Sequence, residues 1–193
     1  MGNSPPDLQP NAYTSKALGL FLEGLKEVQE SEVLDVGSVC GDNIRFFAHR
    51  VKRLYICDMF RLLRRDTRDS LSPNQALKHL DYTPRSFHGI LLWNLIEHLN
   101  DSDVGRLAEL CYGMLKPRGM LFASLTGRSA VGTAAYSFVV KDDYRLKIAP
   151  KPDVSLPLHV RSNREVLELF FLFTPEKSFL YQNGLREYLF RND

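Results

Sequence analysis

The amino-acid sequence predicts an α/β fold, a doubly wound and mostly parallel sheet with helices on both faces. Two observations predict it. Short apolar runs alternate with segments of helical spacing from about residue 13 to residue 125, the pattern of successive β–α units. Acidic and glycine residues gather where the apolar runs end, and ligands of such sheets bind beyond the carboxyl ends of the strands.

The elements follow in order. Leu18, Phe21, Leu22, Leu25 and Val28 recur at three- and four-residue spacing, so residues 13–30 are expected to form an amphipathic helix. Residues 32–37, an apolar run closing at Gly37, read as a buried strand, and residues 43–50 as the next helix. A second strand, 53–57, closes at Asp58, and a basic helix over 60–69 is broken by Pro73. Residues 76–80 read as a third, weaker strand before Asp81. The fourth, 87–93, is strongly apolar and continues helically through 95–99. Residues 103–115 form a helix with Val104, Leu107, Leu110, Cys111 and Met114 inward; Pro117-Arg118-Gly119 then turns into a fifth strand, 120–125. Residues 126–160 hold Gly127, Gly132, Pro150, Pro152 and Pro157 and few clean periods, as expected of an insertion covering the site as a lid. Ser162 or Asn163 caps a helix over 162–173. Residues 177–181 and 185–191 alternate about Asn183-Gly184, the signal of a hairpin.

The 193 residues suit one domain, 12–193, behind a flexible, proline-containing tail at 1–11 that lacks the apolar core of a signal peptide. No apolar run is long enough to cross a bilayer. The net charge of +2 makes no strong demand for nucleic acid or an anionic membrane. Three widely spaced cysteines, Cys40, Cys57 and Cys111, form neither a disulfide framework nor a paired zinc motif, which points to a reducing cytoplasm. Oligomeric state is left open.

The chemistry concentrates at the strand ends. Gly37 and Gly41, in Asp35-Val36-Gly37-Ser38-Val39-Cys40-Gly41, give a tight turn and let a ligand approach the main chain. Their spacing is not the Gly-x-Gly-x-x-Gly of a pyrophosphate site, which disfavours a dinucleotide. Asp58, about twenty residues on, can accept from both hydroxyls of a ribose. Asp81 can accept from an adenine amine, and Met59 can pack on the adenine face. Together these make an adenosine site without a phosphate site.

In this ordered set the chain resembles the class I S-adenosylmethionine-dependent methyltransferases, particularly the small bacterial-type group acting on diverse small molecules. Leu34-Asp35-Val36-Gly37 with Gly41 is similar to that family's first motif, Tyr55-Ile56-Cys57-Asp58 to its acidic second strand, and Asp81-Tyr82 to its adenine-binding turn. Phe87 to Leu99, Leu115-Lys116-Pro117-Arg118-Gly119 and the ending Gly184 to Phe190 resemble its fourth strand, the turn before its fifth strand and its final antiparallel strand. The resemblance implies a Rossmann-like seven-stranded sheet with an antiparallel final strand and S-adenosylmethionine as cofactor. Asp35, Gly37, Ser38, Val39 and Gly41 would form the loop facing the cofactor, with Asp58 on the ribose and Met59 beside the adenine. Asp81 and the Tyr82 amide would hold adenine, and the backbone near Trp93 would meet the methionine part. The activity implied is methyl transfer to a nucleophile on a small molecule, achieved largely by placement. A methyltransferase-like binding or partner module without catalysis, and an RNA methyltransferase, stand as alternatives.

Val39 stands where the family has glycine, and a β-branched side chain there restricts the backbone and intrudes toward the ligand. His88 stands where the family often has aspartate. For the acceptor, Asn94, His98, Tyr136, His159 and Arg161 are the candidates, with Arg161 offering a two-pronged contact to an acid or acting as a loop anchor. Asn94, Glu97 and His98 share a helix face and with His159 make a metal constellation; the bland reading gives Glu97 to the helix start and His98 to packing. Arg61, Arg64, Arg65 and Arg68 form a cationic helix face without interleaved aromatics, the mark of a solvated surface.

Overall fold

The structure, a computed structural model, describes residues 12–64, 70–126, 134–141 and 144–193. The expected tail, Arg65, Arg68, Gly127 and Gly132 lie outside them. The chain opens with a short strand, β1 (Ala12–Thr14), and α1 (Lys16–Lys26). The helix expected from residue 13 starts later because the Ser15 hydroxyl accepts from the Leu18 N–H at 3.0 Å and fixes the N-cap there. Next come β2 (Glu32–Gly37), α2 (Gly41–Ala48), β3 (Arg53–Asp58) and α3 (Met59–Leu63).

The strand expected at 76–80 is overturned. α4 (Pro73–Leu77) and a 3-10 turn (Lys78–Leu80) take those residues. The reason is local: Ser72 and Gln75 close a capping box, and Pro73 sits at the first helical position, where its missing N–H costs nothing. β4 (Phe87–Trp93), a 3-10 turn (Leu95–His98), α5 (Asp101–Met114) and β5 (Leu115–Leu125) follow. Residues 134–155, expected to be irregular, form a hairpin of β6 (Ala134–Val140) and β7 (Arg145–Ser155). β1 adds antiparallel to β7 at Arg145–Lys147, completing a three-stranded sheet. Pro150 and Pro152 fall beyond Lys147, where the outer edge of β7 has no strand partner among the described residues and prolines are tolerated. α6 (Asn163–Leu169), β8 (Thr174–Leu180) and β9 (Arg186–Arg191) end the chain.

The main sheet has six strands among the described residues, in the order β3-β2-β4-β5-β9-β8, instead of the seven expected. β3, β2, β4 and β5 run parallel; β9 is antiparallel to both its neighbours. One face is covered by α1, α2 and the β6–β7 hairpin over Phe21, Phe47, Trp93, Phe122, Phe138 and Leu189. The other is covered by α3, α4, α5 and α6 over Leu34, Ile90, Leu92, Cys111, Phe170 and Phe190. Phe170 stacks on Phe190 at 5.1 Å and belongs to this core, whereas the neighbouring Phe171 is exposed. Among the described residues no helix is long and apolar enough to cross a membrane.

Candidate functional site

The parallel strands deliver the first-motif residues to one end of the sheet. In register, Gly37 lies opposite Asp58, Val36 opposite Leu92, and Trp93 opposite Ser124, which in turn faces Glu187. Asp58, Gly37, Trp93, Ser124 and Glu187 therefore form one row across the carboxyl ends of β3, β2, β4 and β5 and the amino end of the antiparallel β9. Asp35 lies two residues below Gly37 on the same side of its strand.

Glycine at position 37 answers a close approach: a Cβ built there would stand 3.0 Å from the Trp93 indole. At Gly41 a Cβ would meet no atom within 4 Å, so the start of α2 borders open space. Between them Val39 is 44% exposed, and it is not among the non-glycine residues with positive φ, which are Arg85, Asn94, Arg118 and Tyr144 among the described residues. The loop therefore needs no glycine at Val39 for its backbone; the apolar side chain stands in the open part of the loop.

Asp58 caps α3, its Oδ1 accepting from the Arg61 N–H at 3.0 Å, and its Oδ2 has no partner among the described residues. Met59 is fully buried in the core under α3, away from solvent. Asp35 is 5% exposed. Burial raises its carboxyl from 3.8 to about 7; the Trp93 indole N–H opposes this and the Asp58 charge adds to it. The indole falls outside hydrogen-bond geometry, so Asp35 Oδ1 and Trp93 Nε1 are both buried without a bonded partner among the described residues. A buried acceptor and a buried donor without hydrogen-bond partners are rare in a protein interior.

Asp81 and Tyr82 are not brought to this row. Tyr82 packs edge-on against Tyr55 and Phe87, the third residue of β3 and the first of β4, in the amino half of the sheet. Asp81 lines a separate cavity of about 340 Å³ with Asn74, Leu77, Lys78, Arg106 and Leu110. The missing strand explains the displacement, because the helical segment never carries the chain back to the carboxyl end.

The acceptor candidates divide. Asn94, left-handed at φ 50°, continues the row from β4, its N–H bonding the Ser124 carbonyl at 3.0 Å. Its amide faces His98 Nε2 at 3.2 Å, while His98 Nδ1 meets the Pro157 carbonyl at 2.9 Å. A carbonyl only accepts, so Nδ1 carries the hydrogen and Nε2 accepts from Asn94. Burial, with His159 nearby, holds the His98 imidazole below its ordinary range. Arg161, 4% exposed, spends its guanidinium on Asp101 and on the carbonyls of Ile96, Leu99 and His159, which is the anchoring role. The His159 N–H bonds the Glu97 carbonyl at 2.7 Å. Tyr136 is buried in the hairpin core. Among the described residues no group of three His, Cys, Asp or Glu is placed to hold a metal.

Several site residues were not singled out in the sequence. Asn43 on α2 donates to the Phe138 carbonyl and accepts from the Val140 N–H, both at 2.8 Å, clipping the hairpin to the first-motif helix. Lys151 reaches Ser38, and Lys141 bonds Asp42 at 2.7 Å. Phe138 stacks on Trp93 at 5.9 Å. Glu187, fully buried, accepts from Tyr13 Oη at 2.7 Å, Tyr181 Oη at 2.6 Å and the Ala17 N–H at 3.2 Å. Burial raises its carboxyl, against these bonds. The alternation Leu185, Glu187, Leu189 was the signal available: an acid on the inward side of a strand.

Comparison with solved structures finds the same architecture elsewhere. A 1,6-didemethyltoxoflavin-N1-methyltransferase from Burkholderia thailandensis, solved with 1,6-didemethyltoxoflavin and S-adenosylhomocysteine, is 16% identical; the match covers 95% of this chain and 77% of that one, with a TM-score of 0.58. An S-adenosylmethionine-dependent methyltransferase from Mesorhizobium loti is 14% identical over 96% of this chain and 100% of its own, at 0.56. CalS10, an amino pentose methyltransferase from Micromonospora echinaspora solved with S-adenosylmethionine, is 12% identical over 92% and 90%, also at 0.56. No protein-family model and no curated protein matches the chain.

Proposed function

We infer that this chain, whose fold is that of the S-adenosylmethionine-dependent methyltransferases, binds S-adenosylmethionine at the carboxyl ends of β2, β3 and β4 and transfers its methyl group to a nucleophile on a small molecule. The observation that carries the reading is the row of Asp58, Gly37 and Trp93 above the buried, unpartnered Asp35 oxygen. The residues fit the cofactor: the open start of α2 leaves room, Asp58 Oδ2 is a spare acceptor for ribose hydroxyls, and the unpartnered Asp35 oxygen is an acceptor for an ammonium. Bound there, the cofactor supplies a methyl group on a sulfonium, already a strong donor. The chain supplies orientation and exclusion of water, with Phe138 and Trp93 forming a dry wall. Asp81, in its separate cavity, and Tyr82, packed on Tyr55 and Phe87, have no part in this assignment.

A second reading, a partner module without catalysis, has its own observation. Trp93 stands against Gly37, and the hairpin closes on the same loop through Lys151–Ser38 and Asn43. Photolabelling with methyl-tritiated S-adenosylmethionine separates the outcomes. The expected label lies in peptides containing 37–43 or 93–98, is suppressed by S-adenosylhomocysteine, and is lost in Asp58→Ala. Absence of suppressible label on folded protein contradicts the cofactor reading; suppressible label without transfer to any acceptor favours the module.

A further inference from the structure

We propose that Glu97 and His98 are a positioning pair that clips both roots of the β6–β7 hairpin to the end of β4 and so sets where the hairpin lies over the Gly37–Gly41 loop. The hairpin leaves the sheet at Thr126 and returns through Pro157 and His159. At the first root, the Thr126 N–H and hydroxyl both donate to Glu97 Oε2, at 2.8 and 2.7 Å. At the second, His98 Nδ1–H donates to the Pro157 carbonyl, and the His159 N–H to the Glu97 carbonyl. Two adjacent residues of one 3-10 turn therefore hold both ends of a hairpin whose body carries Phe138 against Trp93 and Lys151 against Ser38.

The pair also reaches the row itself. Asn94 Nδ2 donates to His98 Nε2, and the Thr126 hydroxyl lies 3.4 Å from Asn94 Oδ1. Asn94 holds a left-handed backbone next to Trp93, so fixing its amide fixes the peptide that closes β4. Glu97 is fully buried and His98 is 4% exposed, which excludes solvent from competing for these bonds. The arrangement requires neutral His98. An imidazolium would turn Nε2 into a donor facing the Asn94 amide donor and break the link to the row. Packed around the turn are Glu97 within it, His159 on the return segment, Arg161 with Asp101 at its carbonyls, and the uncharged ring of Phe60 from α3 at 5.5 Å.

Hydrogen exchange without ligand, on the full chain, tests the clamp independently of the cofactor reading. In His98→Ala the amides of 134–141 and 144–155 are expected to exchange faster, while those of 87–93 keep their protection. Wild type shows the same selective loosening as pH falls below about 6.5, the ordinary histidine range. In Asn94→Asp, whose carboxylate accepts from an imidazolium, the hairpin is instead tightest at low pH. Resting further on the cofactor reading, S-adenosylhomocysteine affinity falls about ten- to a hundredfold in His98→Ala, as displaced site geometry does. Should His98→Ala unfold, the pH series of wild type and Asn94→Asp decides. Hairpin exchange that is flat with pH in both, or unchanged in a folded His98→Ala, overturns the proposal. A responsive hairpin in a chain that binds no cofactor leaves the clamp standing and removes the cofactor reading.

Discussion

At the scale of single residues, burial is costly for Asp35. Its carboxyl is raised from 3.8 to about 7 by burial first, so the folded state holds a proton that the unfolded chain has released. Stability from this group is present below about pH 4 and is lost as pH rises to about 7. At 1.36 kcal/mol per pH unit the full cost is roughly 4 kcal/mol. Asp35→Asn is therefore expected to raise the melting temperature at pH 8, with the gain shrinking toward pH 4, and to weaken cofactor binding; pH-dependent melts read the first effect. A melting temperature that falls equally at every pH contradicts the assignment. Val39 makes the opposite kind of prediction. Its backbone is not strained and its side chain stands exposed on the cofactor loop, so Val39→Gly should tighten S-adenosylhomocysteine binding severalfold with no loss of fold. Weaker binding in that variant would mean that Val39 contacts the ligand. Asp35, Gly37 and Asp58 were legible in the sequence because strand-end position and residue type coincide there. Arg161 was legible only as one of two roles, since its partners Asp101, Ile96 and Leu99 lie about sixty residues away along the chain.

At the scale of elements, the hairpin and α4 carry what was not legible. Residues 76–80 are apolar enough for a strand, but Ser72, Pro73 and Gln75 spend their local chemistry on a helix start, and the sheet goes without that strand. Residues 134–155 hid their strands behind prolines, which an outer edge without a strand partner among the described residues tolerates. Asn43 of α2 then clips the body of the hairpin through two buried backbone groups. Asn43→Ala leaves the Phe138 carbonyl and Val140 N–H unpaired in a buried place, a loss of about 2–4 kcal/mol in chemical denaturation. A change within about 0.5 kcal/mol would show that water replaces both bonds.

At the scale of the molecule, the three-stranded sheet packs on one face of the six-stranded one. β1 and α1 are tied to β9 by Glu187, and the hairpin to α2 by Asn43, so the segments covering the site are fastened at points far apart in sequence. This is why the parallel fold was readable from periodicity while its cover was not: the cover depends on long-range pairs such as Tyr13–Glu187 and Asn43–Phe138. The central claim is that the row of Asp58, Gly37 and Trp93 is a cofactor site. Isothermal calorimetry with S-adenosylmethionine and S-adenosylhomocysteine tests it most directly, with Asp58→Ala as control. Binding near about 1–100 μM, weakened at least about tenfold in a folded Asp58→Ala, is the predicted result. No heat of binding to folded wild type at about millimolar ligand, or equal affinity in Asp58→Ala, would contradict it.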